Sequence, residues 1–172
     1  MIHVRPAADA DLVAILAIYN HAIATTTAVF EYEPHTLPVQ REWLDAKRTA
    51  SFPVFVADLD GVVVGFATYG PFRVRPAYKY TIEHSVYVAA GVRRRGIARQ
   101  LMQALIADAR ARDYHAVVGG IVADNAPSLR LHESLGFVEV AHFREVGYKF
   151  GRWQDLKFLQ LLLDTPRTPT AP

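Results

Sequence analysis

Val86-Tyr87-Val88-Ala89-Ala90-Gly91-Val92-Arg93-Arg94-Arg95-Gly96-Ile97-Ala98 decides how this chain folds. A β-branched and aromatic run ends in a small-residue, arginine-rich turn. An amphipathic helix follows at once, with Ile97, Leu101, Leu105, Ile106 and Ala109 on one stripe. Strand, tight turn and helix start together make an anion site. The first helical turn has backbone N–H groups without intrahelical partners, and the helix dipole adds partial positive charge there. Gly96 lets a ligand approach the backbone, and Ala98 keeps the next turn small. Arg93, Arg94 and Arg95 add formal charge. The guest that suits such a turn is a di- or polyphosphate.

The length of 172 residues fits one domain with a sizeable core. With 51% hydrophobic and 21% charged residues, the composition is that of an ordinary globular protein. No apolar run is long enough to cross a bilayer, so no membrane partner is expected. The opening Met-Ile-His-Val-Arg-Pro reads as a strand entering the fold rather than as a signal peptide. The absence of cysteine excludes disulfides, a thiolate nucleophile and zinc–cysteine sites, and is compatible with the cytoplasm, the location expected. Net charge is only +2 and one short arginine cluster stands out, which argues against a nucleic-acid partner. The histidines have no ligand spacing, so no metal is expected.

The chain alternates strand and helix signals. A strand at Ile2–Arg5 precedes a helix, capped by Asp9 or Asp11, that carries Leu12, Ile15, Leu16, Tyr19 and Ile23. A loop over 24–37 leads to a second helix at Val39–Arg48. Strands Pro53–Leu59 and Val62–Tyr69 meet at Asp60-Gly61, a strong hairpin signal. An irregular basic segment, 70–80, precedes a strand at Thr81–Val88 and the helix from Gly96 to Arg112. A strand at His115–Val122 is followed by a short helix opened by Asn125-Ala126-Pro127 and stopped at Gly136. Two strands, 137–148 and 154–162, finish the fold. This order predicts a single α/β (α+β) domain over 1–163, a mixed sheet of about seven strands flanked by about four helices. The Pro- and Thr-rich tail, 164–172, is expected to be disordered.

Arg93 to Ala98 spells Arg-x-x-Gly-x-Ala. It lacks the Lys-Ser/Thr of a Walker loop and is not the dinucleotide G-x-G-x-x-G. It resembles the acetyl-coenzyme A motif of the GCN5-related N-acetyltransferases, and the element order matches that fold up to about Leu163. Three more strings narrow the resemblance: Glu83-His84-Ser85-Val86-Tyr87-Val88, Leu131-His132-Glu133-Ser134-Leu135-Gly136-Phe137, and Val146-Gly147-Tyr148-Lys149-Phe150-Gly151-Arg152-Trp153-Gln154-Asp155. In that order they resemble the phosphinothricin N-acetyltransferase branch. Its members acetylate the α-amino group of phosphinothricin, methionine sulfoximine or methionine sulfone. The resemblance implies acetyl-coenzyme A as co-substrate, a small amino-acid-like acceptor and a homodimer. The apolar run Leu156–Leu163 agrees with a dimer, although a core strand looks the same.

The resemblance also implies roles. Arg93, Arg94, Arg95, Gly96, Ile97, Ala98 and Arg99 would hold the pyrophosphate. Val86, Tyr87 and Val88 would run beside the pantetheine and offer backbone groups; Asn125 and Ser128 would flank its arm. Read from the residues alone, Val86 and Val88 are also core, Asn125 an N-cap and Ser128 a surface serine. Amine acetylation needs a neutral amine, and a carboxylate at the site can take its proton. Glu83 reads as that base or as a half-exposed strand glutamate, and the resemblance favours the base. His84 falls on the opposite face of the strand and is expected to line a different space. His132 stands where related enzymes carry a tyrosine, as an acid toward the coenzyme A sulfur, as a helper in deprotonation, or as a satisfied buried histidine. Arg73 and Arg75 are candidates to grip the acceptor's carboxylate. Phe30 and Tyr32 are candidates for its apolar wall, or for packing under a loop. Segment 148–153 belongs to a pocket or an interface. Two other functions stay open: a protein or peptide N-acetyltransferase, and a non-catalytic acyl-coenzyme A sensor.

Overall fold

The computed structural model describes residues 1–170. Along them run β1 (Ile2–Pro6), α1 (Leu12–Thr25), α2 (Leu37–Thr49), β2 (Val54–Leu59), β3 (Val62–Pro71), β4 (Thr81–Val88), α3 (Ile97–Ala111), β5 (Ala116–Val122), α4 (Ala126–Glu133), β6 (Val138–Lys149) and β7 (Arg152–Leu162). The strands form one sheet in the order β1-β2-β3-β4-β5-β7-β6. Its neighbours are antiparallel except β4 and β5, which are parallel. The expected mixed α/β class and element order are what the chain adopts.

Period-two alternation builds two cores from one sheet. Ala57, Ala67, Ile82 and Val117 face α3, whose stripe Ile97, Leu101, Leu105, Ile106 and Ala109 is fully buried against them. Val54, Val56 and Phe66 face the other way, onto Leu12 and Ile15 of α1 and Leu44 of α2. The capping expectation for α1 needs correction. Asp11 occupies the N-cap position but makes no side-chain cap. Its carboxylate accepts instead from Arg5, at 2.6 Å, and from the Ala8 N–H, at 2.8 Å. The charge-assisted bond to the guanidinium outcompetes the helix end. Residues 164–170 take no helix or strand but touch the domain: the Thr165 hydroxyl donates to the Tyr114 carbonyl, and the Thr170 N–H donates to the Tyr80 hydroxyl at 3.0 Å. Residues 171–172 of the tail lie outside the described residues.

The feature that makes a site is where the sheet comes apart. β4 and β5 pair only at Thr81↔Ala116, Ile82↔Val117 and Glu83↔Val118. Further on, β4 stays with β3 as far as Gly65↔Val88, and β5 stays with β7 as far as Val122↔Leu156. The two parallel strands therefore diverge into a wedge, and β4 from Ser85 to Val88 has an edge with no strand partner on that side. Two glycines line the β5 side of the wedge. A Cβ on Gly119 would lie 2.5 Å from His84 Nε2, and one on Gly120 would lie 3.5 Å from Glu83 Oε1. Their bare backbone leaves room for one side chain on each face of the sheet.

Candidate active site

The wedge points at the mouth of α3. Gly96 stands at the N-cap in the left-handed region, φ +76°, and no side chain caps the helix. The first intrahelical bond returns from Gln100 to Gly96, so the N–H groups of Ile97, Ala98 and Arg99 have no helical acceptor. A cavity of about 750 Å³ runs from this turn along β4 to the start of α4. Its size and its uncapped amides fit a long cofactor bearing a pyrophosphate. Every residue expected along that cofactor lines the cavity except Arg95, which is exposed. Arg99 is steadied by its own bond to the Ser134 hydroxyl, at 2.7 Å. Asn125 both lines the cavity and caps α4, accepting from the Ser128 N–H. Phe150 and Arg152, from the segment whose place the sequence left open, also reach this wall, and Arg152 pairs with Asp124 at 2.8 Å.

A second cavity, about 410 Å³, adjoins the first across Val86, Tyr87, Asn125 and Ser128. Glu83, Ser85, His84, His132, Phe30 and Glu31 line it. Glu83 and His84 do point to opposite faces of β4. They nevertheless share one cavity, because the wedge opens the sheet from face to face. Burial raises the Glu83 pKa above the usual carboxylate range, and the charge of Arg73 partly opposes the rise.

His132 is 1% exposed and stacks on His84 with ring centroids 4.9 Å apart. Its Nδ1 lies 2.7 Å from the Ser128 carbonyl. A carbonyl only accepts, so Nδ1 carries the hydrogen and Nε2 is the lone pair. That lone pair lies 3.1 Å from His84 Nε2, which must then donate to it. His84 Nδ1 is left buried with no partner. Burial pushes both imidazoles down, His84 to about 3 with the neighbouring His132 adding to the effect. Both rings are therefore neutral near pH 7.

The residues expected around the acceptor divide. Phe30 lines the second cavity, its ring over Gly147, where a Cβ would lie 2.4 Å from it. Tyr32, Arg73 and Arg75 do not line either cavity. The Tyr32 hydroxyl donates to the Tyr148 carbonyl at 2.6 Å, tying the loop between α1 and α2 to β6. Arg73 lies over the Phe72 ring, 4.3 Å from its centroid, so only its field reaches Glu83. Arg75 is exposed. Buried Lys149 completes the tie, its Nζ donating to the carbonyls of Ile23 and Val29 at 2.6 and 2.7 Å. Sequence reading missed Glu31, which accepts from the Tyr19 hydroxyl at 2.8 Å and pairs with His35. It missed Ser85 as well. Glu31 sits in no periodic or motif position, and Ser85, although inside the Glu83–Val88 string, carries no signal of its own.

Two parallel strands parting beside an uncapped, arginine-rich helix mouth are the construction of an N-acetyltransferase that draws on acetyl-coenzyme A. The chain belongs to the acetyltransferase (GNAT) family, whose model matches residues 15–137. It is 42% identical over 168 residues to the L-methionine sulfoximine/L-methionine sulfone acetyltransferase of Salmonella typhimurium, covering 98% of each chain. It is 38% identical over 170 residues to the phosphinothricin N-acetyltransferase of Streptomyces viridochromogenes, covering 98% of this chain and 91% of that protein. The structure of yncA from Salmonella typhimurium with its cofactor acetyl-CoA superposes with a TM-score of 0.95, at 42% identity and 99% coverage of both chains.

Proposed function

We propose that the chain transfers acetyl from acetyl-coenzyme A to the α-amino group of a small amino-acid analogue of the methionine sulfoximine, methionine sulfone or phosphinothricin type. Glu83 carries the reading. It is a half-buried carboxylate, made a better proton acceptor by its burial, and it stands where β4 and β5 part. The activities named for the relatives support the acceptor class.

The backbone amides of Ile97, Ala98 and Arg99, with Arg93 and Arg94, bind the pyrophosphate, and Arg95 adds only its charge nearby. The free edge of Val86, Tyr87 and Val88 pairs with the amides of the pantetheine, and Asn125 and Ser128 border it. Acetyl-coenzyme A bound there supplies the acetyl group as a thioester, transferred directly to the amine with coenzyme A thiolate as the leaving group. Glu83 takes the ammonium proton, directly or through a water, and so exposes the amine lone pair. His132, held neutral, helps to accept that proton only by releasing its Nε2 from His84. Phe30 bounds the acceptor, Tyr32 holds the loop that carries Phe30 onto β6, and Arg73 and Arg75 attract the acceptor's carboxylate from the loop before β4. The site works in the cytoplasm in a homodimer, supported by the exposed apolar side chains Val138, Val140, Phe143 and Val146 along the outermost strand, β6.

A thiol-release assay with acetyl-coenzyme A tests the proposal against phosphinothricin, methionine sulfoximine, methionine sulfone and a peptide panel. Rapid turnover is expected on at least one of the amino-acid analogues. Turnover on peptides alone would make this a peptide N-acetyltransferase, and cofactor binding without any turnover would make it a sensor.

A further inference from the structure

A third hollow, about 280 Å³, opens off the acceptor cavity beneath α2. The two share Tyr19, Glu31, Ser85 and Tyr87, so only these side chains stand between them. Gln40 lines the far side. It is 2% exposed, yet its side-chain amide makes no hydrogen bond among the described residues, and its Oε1 is buried without a partner. His35 Nδ1 is buried without a partner too, while its Nε2 is held by Glu31. Native folds rarely keep such groups unsatisfied unless something else engages them, because each has given up its bonds to water.

The charges facing the hollow offset one another. Glu31 is a carboxylate already engaged by Tyr19 and His35. Lys47 is a half-buried ammonium whose Nζ donates to the Tyr69 carbonyl at 2.8 Å. A guest with strong dipoles and no net charge suits this lining. An anion would bring a second negative charge beside Glu31.

We propose that this hollow takes the polar head of the acceptor's side chain, an uncharged tetrahedral sulfur group such as a sulfone or sulfoximine, and that Gln40 is the residue that reads it. The sulfur-bound oxygens accept from Gln40 Nε2. The N–H of a sulfoximine donates to Gln40 Oε1 or to His35 Nδ1. A thioether in the same place offers neither bond and leaves the amide unsatisfied. The inference rests on the amino-acid acceptor proposed above, so binding and turnover are measured separately.

The test is calorimetric titration of methionine sulfone, and of methionine, into protein saturated with coenzyme A. Wild type is expected to prefer the sulfone by about tenfold or more. Gln40→Met, which keeps the volume and removes the amide, erases that preference and leaves methionine binding unchanged. Gln40→Glu, which keeps the shape and adds a charge, also loses the sulfone. Both variants keep wild-type coenzyme A affinity, which reports that they are folded. Equal sulfone affinity in wild type and Gln40→Met, or none in wild type, overturns the inference and leaves a hollow filled by water. Parallel loss of sulfone and methionine also overturns it, since Gln40 would then read the part common to both. Sulfone bound through Gln40 with no acetyl transfer supports the inference while removing the proposed function.

Discussion

Gly119→Ala is the most incisive perturbation of the wedge. The new Cβ would sit 2.5 Å from His84 Nε2, and ordinary contact begins at 3.4 Å, so the ring must retreat by about 0.9 Å. It has little room to do so. His132 stacks against it at 4.9 Å and Phe137 meets it edge-on at 5.7 Å. Retreat also breaks the 3.1 Å bond between the two imidazoles. Overpacking of this kind costs about 1–3 kcal/mol, and the lost hydrogen bond about 0.5–1.5 kcal/mol. The combined cost for a chain of this size lowers Tm by roughly 5–15 °C. The assay is thermal and urea unfolding of wild type, Gly119→Ala, His84→Ala and the double variant. In the His84→Ala background the added methyl has space, and its penalty should shrink to near zero. A Gly119→Ala protein as stable as wild type, or an equal loss in both backgrounds, would show that His84 does not occupy the space Gly119 leaves.

Glu83→Gln should lower kcat by about 10²–10⁴-fold while coenzyme A affinity, read by titration, stays unchanged; undiminished turnover takes Glu83 out of the mechanism. Because burial raises its pKa, the acid limb of the wild-type kcat/KM profile should lie above the ~4.3 of a free glutamate, and a limb at or below that value contradicts the assignment. His84 has the opposite sign. Its folded pKa is depressed to about 3, so the stability it contributes is complete above its unfolded value of about 6.5 and is lost as pH falls below it, at up to about 1.4 kcal/mol per pH unit. Urea midpoints across that window should slope less in His84→Gln, and an identical slope counts against a neutral His84. Gly96→Ala meets open space but must hold a φ of +76°, at a cost of about 1–2 kcal/mol; titration should show weaker coenzyme A binding in a folded variant, and wild-type affinity would mean the turn is not the phosphate site.

What the sequence disclosed was local. The stripe of α3, the Asp60-Gly61 hairpin and the glycine turn at Gly96 are each written within a few residues, and the element order follows from them. The wedge is different. It arises because β4 follows β3 while β5 follows β7, and Gly119-Gly120 in isolation reads only as a weak stretch of strand. Glu83 is singled out in the sequence by its place before the turn; its sharing of a cavity with His84 follows from divergence of the strands, which period-two reasoning does not contain. Glu31 and Gln40 sit in a loop and on a short helix, and only packing brings them beside Ser85. Arg73, Arg75 and Tyr32 show the converse, since residue type names a capable side chain without saying where it is directed.

The tie between Lys149 and the carbonyls of Ile23 and Val29 spans 126 and 120 residues, and that between Tyr32 and Tyr148 spans 116. Contacts so distant along the polypeptide close late, since a large loop must be ordered before any reward arrives. During synthesis the segment carrying Phe30 and Glu31 emerges early and then waits, without its anchors, until nearly the whole polypeptide has left the ribosome. The final hairpin therefore supplies the last anchors of the segment that carries Phe30 and Glu31.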